Sequence, residues 1–547
     1  MDETGKDAGV QILGVEQWEE LFSGSDPRIE RFFAETYEDD AELWAQKRKE
    51  YLTVLDHYKQ NYGADDEVFI VRSPGRVNLM GSHVDHRGGD VNVIAISDEC
   101  LAVVSPRDDD MVEMSNALPD RFAERAFSIG DVVKHLEMRD WFECVNSPKT
   151  LALVNDGDWD NYIKAAVLRL QQRFAARRLR GMRMTVHSNV PIGSGLSSSS
   201  AIVVATAEAF VKVNDLPVQP NLLVDLCGEG EWFVGTRGGA GDHAAIKMGR
   251  RGEIVNIGFF PFEVKGFVPF PDGYRMVMVN SGVKVSKSKT ERAKYNSRIL
   301  AYVVAEILFK LKFPQFADRI EQLRDIHPER LGVSEAELYR MLLEIPETVT
   351  YDELWLDNAA ISELDRQRLD AVRTTELPEG EQLEVRGILL YGIAEVTRSR
   401  LCSDFLRKGD LDSFGRMCWT SHNGDRVVEY DEDGKSSPWQ YGVTDEYLQA
   451  LIEASASDDE SRREAAHLHW QPGRYACSVP EIDMIVDMAR RMPEILGAQI
   501  AGAGLGGYAM TFVKADKAQE VIERYKEKGF EARVHSAVNG ANVVTLK

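Results

Sequence analysis

Apolar residues recur at spacings of three and four through Gln17–Phe22 and Asp40–Tyr58, a pattern that predicts amphipathic helices within residues 1–65. This acidic stretch reads as an extension packed against the rest of the chain. From Glu67 the pattern changes to short apolar runs separated by glycine-rich turns. Val68–Ser73, Val91–Ser97 and Arg275–Asn280 read as strands, and Met182–Ser188 alternates Met182, Met184 and Val186 with polar neighbours, as a half-buried strand does. An alanine-rich helix is expected from about Ser199 to Val213. Residues 297–470 are mostly helical in pattern and heavily charged. Glu376–Glu384 and Val428–Glu464 are acidic, rich in turn formers and poor in apolar periodicity, and read as insertions. The end of the chain predicts helix, glycine loop, strand (Tyr508–Val513), helix (Ala515–Glu527), strand and strand, a split βαβ unit. No internal repeat is visible.

A chain of 547 residues has room for two to four domains, and 44% hydrophobic with 28% charged residues is an ordinary globular balance. The net charge of −24 argues against a nucleic-acid binder and against binding to an anionic membrane. Six cysteines without CxxC pairs exclude the usual structural zinc spacing and speak against a disulfide framework. The N-terminus lacks a charged-then-apolar leader pattern, and no run of about 18 apolar residues occurs. Together these read as a reduced, cytoplasmic, soluble protein. The oligomeric state is open.

The segment that carries chemistry most clearly is PIGSGLSSSS, Pro191–Ser200, between a strand and a helix. Glycines let the backbone approach an anion, amides at the helix N-terminus point at it, and the serines add hydroxyl donors. A flexible linker would not stand between a clean strand and a clean helix, so the segment reads as a phosphate cradle. Two other patterns fail on context. GAGLGG (Gly502–Gly507) fits GxGxxG but precedes a strand, whereas a dinucleotide fingerprint needs a following helix. GKS at Gly434–Ser436 has Glu429 where a Walker motif needs glycine. His467 and His469 lack further ligand-spaced partners and read as surface or packing residues.

Three glycine-rich segments in this order resemble the GHMP kinases, with galactokinase as the nearest branch. SPGRVNLMGSHVDHRGG (Ser73–Gly89) resembles the galactokinase signature, PIGSGLSSSS the ATP-phosphate loop, and GAQIAGAGLGGYAMTFV (Gly497–Val513) the third motif. Smaller echoes are WDNYIKAAV, GTRGGAGDH, NSGVKVS, YNSR and GRYACSVPEID, so the likeness runs over about residues 67–547. The resemblance implies an α+β fold of two lobes, an N-terminal ribosomal-S5-like lobe and a C-terminal ferredoxin-like lobe with helical insertions. The implied division is 1–65 for the extension, 66–270 for the N-terminal domain and 271–547 for the C-terminal domain. The active site would lie in the cleft between the lobes.

The resemblance also implies ATP and Mg2+, and phosphoryl transfer to a sugar hydroxyl, the anomeric one. Asp242 would be the base and Arg76 would orient it or stabilise the transferring group. Pro191, Gly193, Ser194, Gly195, Leu196, Ser197, Ser198 and Ser199 would hold the phosphates, with Trp159 and Asn161 matching a WxNY segment near the nucleotide. Arg76, Ser82, His83, Asp85, Gly239, Asp242 and Tyr295 would face the sugar. Ser199 and a glutamate would bind magnesium. The family's glutamate slot is Gly230 here, so either flanking residue, Glu229 or Glu231, is the candidate. Ser82 stands where galactokinases have glutamate, and His86 replaces a tyrosine. A less negative pocket would admit a uronic acid, so galactose and galacturonate both stand, and galacturonokinases are similar here. Arg292 would favour an anionic sugar if it took the place of Tyr295. An inositol or other non-sugar alcohol kinase, and an inactive sugar or ATP sensor, are the remaining readings.

Overall fold

The structure is a computed structural model that describes residues 11–154, 158–235, 238–284, 289–350, 361–372 and 382–547. Of the expected insertions, residues 376–381 lie outside these, as do the side chains of Arg292 and Tyr295.

The N-terminal part is built on a nine-stranded mixed sheet. Its two long central strands, Glu67–Met80 and Val91–Pro106, pair antiparallel over most of their length. Both run further than the apolar pattern predicts. Pro74-Gly75 suggests a turn, but register shifts between Pro74 and Arg76 and between Asn78 and Met80 absorb the irregularity. Bulges bend a strand and re-aim its side chains without ending it. Arg76 therefore stands within the strand and not in a turn. Met182–Ser188 pairs with Val91–Pro106, and its buried side chains join a core with the helices Asp160–Arg173 and Ser198–Val213.

The C-terminal part carries a four-stranded antiparallel sheet in the order Ile495–Ile500, Tyr508–Lys514, Tyr274–Asn280, Glu531–His535. Helices Pro480–Arg490 and Ala518–Glu527 cover one face. The last expected strand does not join this sheet. Asn542–Val543 pairs with Arg72 and Val71, so the chain end returns to the N-terminal sheet. A separate helical core forms around Leu300–Phe309 and Val385–Ala394.

Val428–Glu464 is more ordered than its composition suggests. It holds a hairpin (Val428–Tyr430 with Ser436–Pro438) and a helix, Asp445–Ser455, that buries Leu448, Leu451 and Ile452. Three apolar residues on one face suffice when a prepared surface meets them.

The two parts share a hydrophobic core. Val77, Leu79, Ile94, Val190 and Leu196 pack with Met276, Phe414, Tyr508, Met510 and Phe512. Each such side chain contributes on the order of 1.5–3 kcal/mol on burial. The glycine loops of the two parts are thus held on one packed base. Helices Val15–Ser23, Pro27–Thr36 and Ala41–Tyr62 lay Trp18, Phe22, Phe33, Tyr51 and Leu55 on the outer face of the central strands.

Candidate active site

The three glycine-rich segments meet. A Cβ on Gly502 would lie 2.4 Å from the Gly195 carbonyl oxygen, and one on Gly507 2.2 Å from that of Ser194. The Tyr508 amide donates to the Ser194 carbonyl at 3.0 Å, and the Arg76 amide to the Leu196 carbonyl at 3.3 Å. Glycine is required at these positions because two backbones touch.

Arg76 and Asp242 converge on this loop from different elements. Arg76 is on the bulged strand, and Asp242 is in the first turn of the helix Gly241–Met248. The Arg76 Nε donates to Asp242 Oδ1 at 2.6 Å, and another guanidinium nitrogen lies 2.5 Å from the same oxygen. Its third nitrogen donates to the Gly195 carbonyl at 2.6 Å. The guanidinium fork fixes loop and carboxylate together. The other oxygen of Asp242 accepts from the Ser197 hydroxyl. Ser197 has φ 63°, in the left-handed region that non-glycine residues seldom occupy. His83 and Leu505, in the other two motifs, share this region.

A cavity of about 1080 Å³ opens over the loop, lined by Ser198, Ser199, Asp242, Phe122, Trp159 and Arg533, among others. Trp159 donates its Nε1–H to the Ala123 carbonyl at 3.1 Å and presents an edge-to-face pair with Phe122. Asn161 also lines this cavity. The cavity is thus apolar at one end and rich in hydroxyls and amides at the other.

The helix register separates the two candidate glutamates. Gly230 faces the helix Asp160–Arg173, where a Cβ would lie 3.1 Å from the Ala165 carbonyl oxygen. Glu229 turns away to Arg169, with an Nε–Oε2 distance of 2.8 Å. Glu231 turns toward the loop and accepts from the Ser200 hydroxyl at 2.9 Å, with His243 Nε2 also at 2.9 Å. Ser200 closes the expected phosphate segment, and His243 is not among the residues expected at the site. Ser199 lines the cavity. Among the described residues no three His, Cys, Asp or Glu side chains form a metal cage. One carboxylate with nearby serine hydroxyls is an oxygen set that fits magnesium delivered on phosphates.

The signature segment lies under the helical core. The amides of Gly81 and Ser82 donate to Glu395 Oε1 at 2.8 and 2.9 Å. His83 stacks on Tyr475 at 4.1 Å and faces Asp425 at 3.4 Å. Asp85 accepts from the Gly241 amide at 3.2 Å and meets His86 Nδ1 at 3.2 Å. A Cβ on Gly239 would lie 2.3 Å from Asp85, so Gly239 is pressed against this carboxylate. Burial alone would raise the Asp85 carboxyl, but hydrogen bonds from His86 and the Gly241 amide outweigh it and hold the pKa at about 2. Burial pushes His86 below the ordinary histidine range, and Arg87 down likewise. Arg87 lies 3.6 Å from Glu306. Each basic side chain of the segment thus has a carboxylate beside it.

The family models that match the chain are those of the GHMP kinases. The family model for the GHMP kinases N terminal domain matches residues 161–250, and that for the GHMP kinases C terminal matches residues 447–531. The model for the galactokinase galactose-binding signature matches residues 56–106. The galactokinase of Dictyostelium discoideum is 23% identical over 503 residues, covering 89% of each chain. That of Limosilactobacillus fermentum is 26% identical over 492 residues, covering 88% of this chain and 96% of its own. In fold, the chain is similar to Lactococcus lactis galactokinase complexed with galactose, with a TM-score of 0.59 and 20% identity, covering 89% of this chain and 98% of that one.

Proposed function

We propose that the protein transfers the terminal phosphoryl group of ATP to the anomeric hydroxyl of galactose or a galactose-like sugar. One observation carries this reading: a carboxylate, Asp242, open to the cavity, is clamped by Arg76 directly beside a glycine-serine loop built for phosphate. Its relatives in sequence are galactokinases along nearly their whole length.

In this mechanism the loop amides and the helix Ser198–Val213 N-terminus hold the phosphates. Arg76 fixes Asp242 through Oδ1. The sugar hydroxyl takes the place of the Ser197 hydroxyl at Oδ2 and gives its proton to the carboxylate. The oxygen so freed forms the new bond to phosphorus as the bond to ADP breaks. Arg76 also places positive charge beside the reacting oxygens. Magnesium, held by Glu231 with Ser199 or Ser200, would supply charge neutralisation on the phosphates. A neutral sugar is favoured because the relatives in sequence are galactokinases and because His83 and His86 already face Asp425 and Asp85. Six buried free cysteines suit a reducing compartment, and we place the protein in the cytoplasm.

The test is ATP consumption with galactose, galacturonate, arabinose, glucuronate and inositol. Galactose should turn over fastest, with phosphorus coupled to C1 in the product by NMR. Asp242→Asn should lower kcat by ~10²–10⁴-fold and leave the ATP Kd largely unchanged. A protein that binds ATP and phosphorylates none of these compounds overturns the kinase reading. Full turnover by Asp242→Asn removes the base.

A further inference from the structure

The N-terminal helices do more than cover the sheet. Helix Ala41–Tyr62 buries two charged side chains against it, Lys47 at 0% and Glu50 at 9% exposure. Lys47 Nζ lies 2.8 Å from Glu50 and 3.2 Å from Glu99, itself fully buried on the strand Val91–Pro106. Arg72 Nε donates to Glu99 at 2.9 Å, and the Tyr37 hydroxyl donates to it at 2.6 Å. Two cations and two anions cancel. Burial raises the Glu99 carboxyl, but Lys47 and Arg72 more than reverse this and leave it below the usual carboxylate range.

Such a network is a costly way to fill space, since apolar side chains of similar volume pack a core at least as well. What it holds is Asn189. The Asn189 side-chain amide donates to Glu50 Oε1 at 2.8 Å, and its oxygen accepts from the Glu99 amide at 2.7 Å. Its backbone amide donates to the Glu99 carbonyl at 3.2 Å. Asn189 follows the strand Met182–Ser188, precedes Pro191–Ser200 and lines the cavity over the loop. It stands where the strand turns into the phosphate loop, and both ends of its side chain are fixed.

We propose that Glu50, supported by Lys47, is a positioning residue for the nucleotide loop: the N-terminal helix orients Asn189 and through it the start of the loop. The proposal rests on the reading of that loop as the ATP site. Glu50 lies outside the cavity lining and acts only through Asn189.

The experiment measures the ATP Kd by calorimetry, KM for ATP and sugar separately, and thermal stability. Wild type that binds no ATP defeats the nucleotide reading itself, which separates that failure from this one. With binding established, Glu50→Ala should weaken ATP binding about tenfold, the size of one charge-assisted hydrogen bond, with the sugar KM little changed. Glu50→Asp keeps the charge for Lys47 but shortens the reach to Asn189, and should weaken ATP binding similarly. Glu50→Gln keeps an acceptor oxygen for Asn189 and should restore most of the affinity. Val54→Ala, a packing change on the same helix, should lower the melting temperature and leave the ATP Kd unchanged. The proposal is overturned if both Glu50→Ala and Glu50→Asp bind ATP as wild type does. It is equally overturned if Val54→Ala weakens ATP binding as much as they do.

Discussion

Replacing Glu395 by alanine should loosen the joint between the helical core and the signature segment. Glu395 stands on the long helix Val385–Lys408 and is 0% exposed. One oxygen accepts the Gly81 and Ser82 amides, and the other accepts Arg398 Nε at 2.7 Å. Arg398 is itself fully buried, and among the described residues its other donations go to the carbonyls of His469 and Gln471, at 3.2 and 2.8 Å. Removing one member of a buried ion pair costs ~3–5 kcal/mol because the other charge is stranded. Each orphaned amide adds ~1–3 kcal/mol unless water enters the vacated space. A net loss of about 4 kcal/mol is expected, a large share of a stability on the order of 5–15 kcal/mol. The variant should fold, with a clearly lower urea midpoint. The freed amides belong to the backbone that carries Ser82, His83 and Asp85, so the KM for sugar should rise while the ATP Kd holds. Removing both charges, as Glu395→Leu with Arg398→Met, should recover part of the stability because no lone charge remains. A loss below about 1 kcal/mol for Glu395→Ala with an unchanged sugar KM would refute the reasoning. So would a double variant less stable than Glu395→Ala.

Gly507→Ala places a Cβ 2.2 Å from the Ser194 carbonyl oxygen at a φ of 83°. It should push the third motif off the phosphate loop and weaken ATP binding by more than about tenfold, read by calorimetry; unchanged affinity would mean that the loops do not need this contact. Acid should destabilise the protein in a defined window. Asp85 has a folded pKa of about 2, against an ordinary value near 3.9, and Glu99 is also lowered. The unfolded chain therefore binds more protons at acid pH, so this stability is present above the unfolded value and is lost as pH falls through the folded one. Urea midpoints should be flat from pH 7 to about 5 and fall steadily toward about 2, with Asp85 supplying ~2 kcal/mol of the loss. Asp85→Asn should flatten that slope, and an unaltered slope would show that Asp85 is not depressed by its partners.

What the sequence discloses about this site depends on how local the chemistry is. The phosphate loop stands out on its own residue types, whereas Arg76 and Asp242 are expected only through the resemblance of whole segments, since an isolated Asp or Pro-Gly-Arg is more often part of a turn. The length of the signature strand is less legible, because Pro74-Gly75 gives the sequence of a turn and only pairing with Val91–Pro106 reveals a bulge. The choice between Glu229 and Glu231 is not legible at all. One step along a helix rotates a side chain by about 100°, and the facing is set by what Gly228 and Gly230 touch, Ala240 and Ala165. Glu395 and Glu50 look like solvated positions in charged helices, and acquire meaning only from partners such as Gly81, 314 residues away in sequence from Glu395.

The same distance limits any argument from pocket charge. Ser82, His86 and Arg87 together suggest a sugar site made more positive by loss of a carboxylate. In the folded chain Asp425 arrives at His83 and Glu306 at Arg87 from helices more than two hundred residues further on, and Arg368 shares Glu306 at 2.6 Å. The electrostatic field at the sugar is the sum over all of them, in a low-dielectric setting where a carboxylate at 3–4 Å outweighs a substitution on the same loop. Exchange of Glu for Ser at position 82 therefore changes what hydrogen-bonds there without making the pocket a carboxylate receptor. Faster turnover of galactose than of galacturonate is the outcome this reading expects.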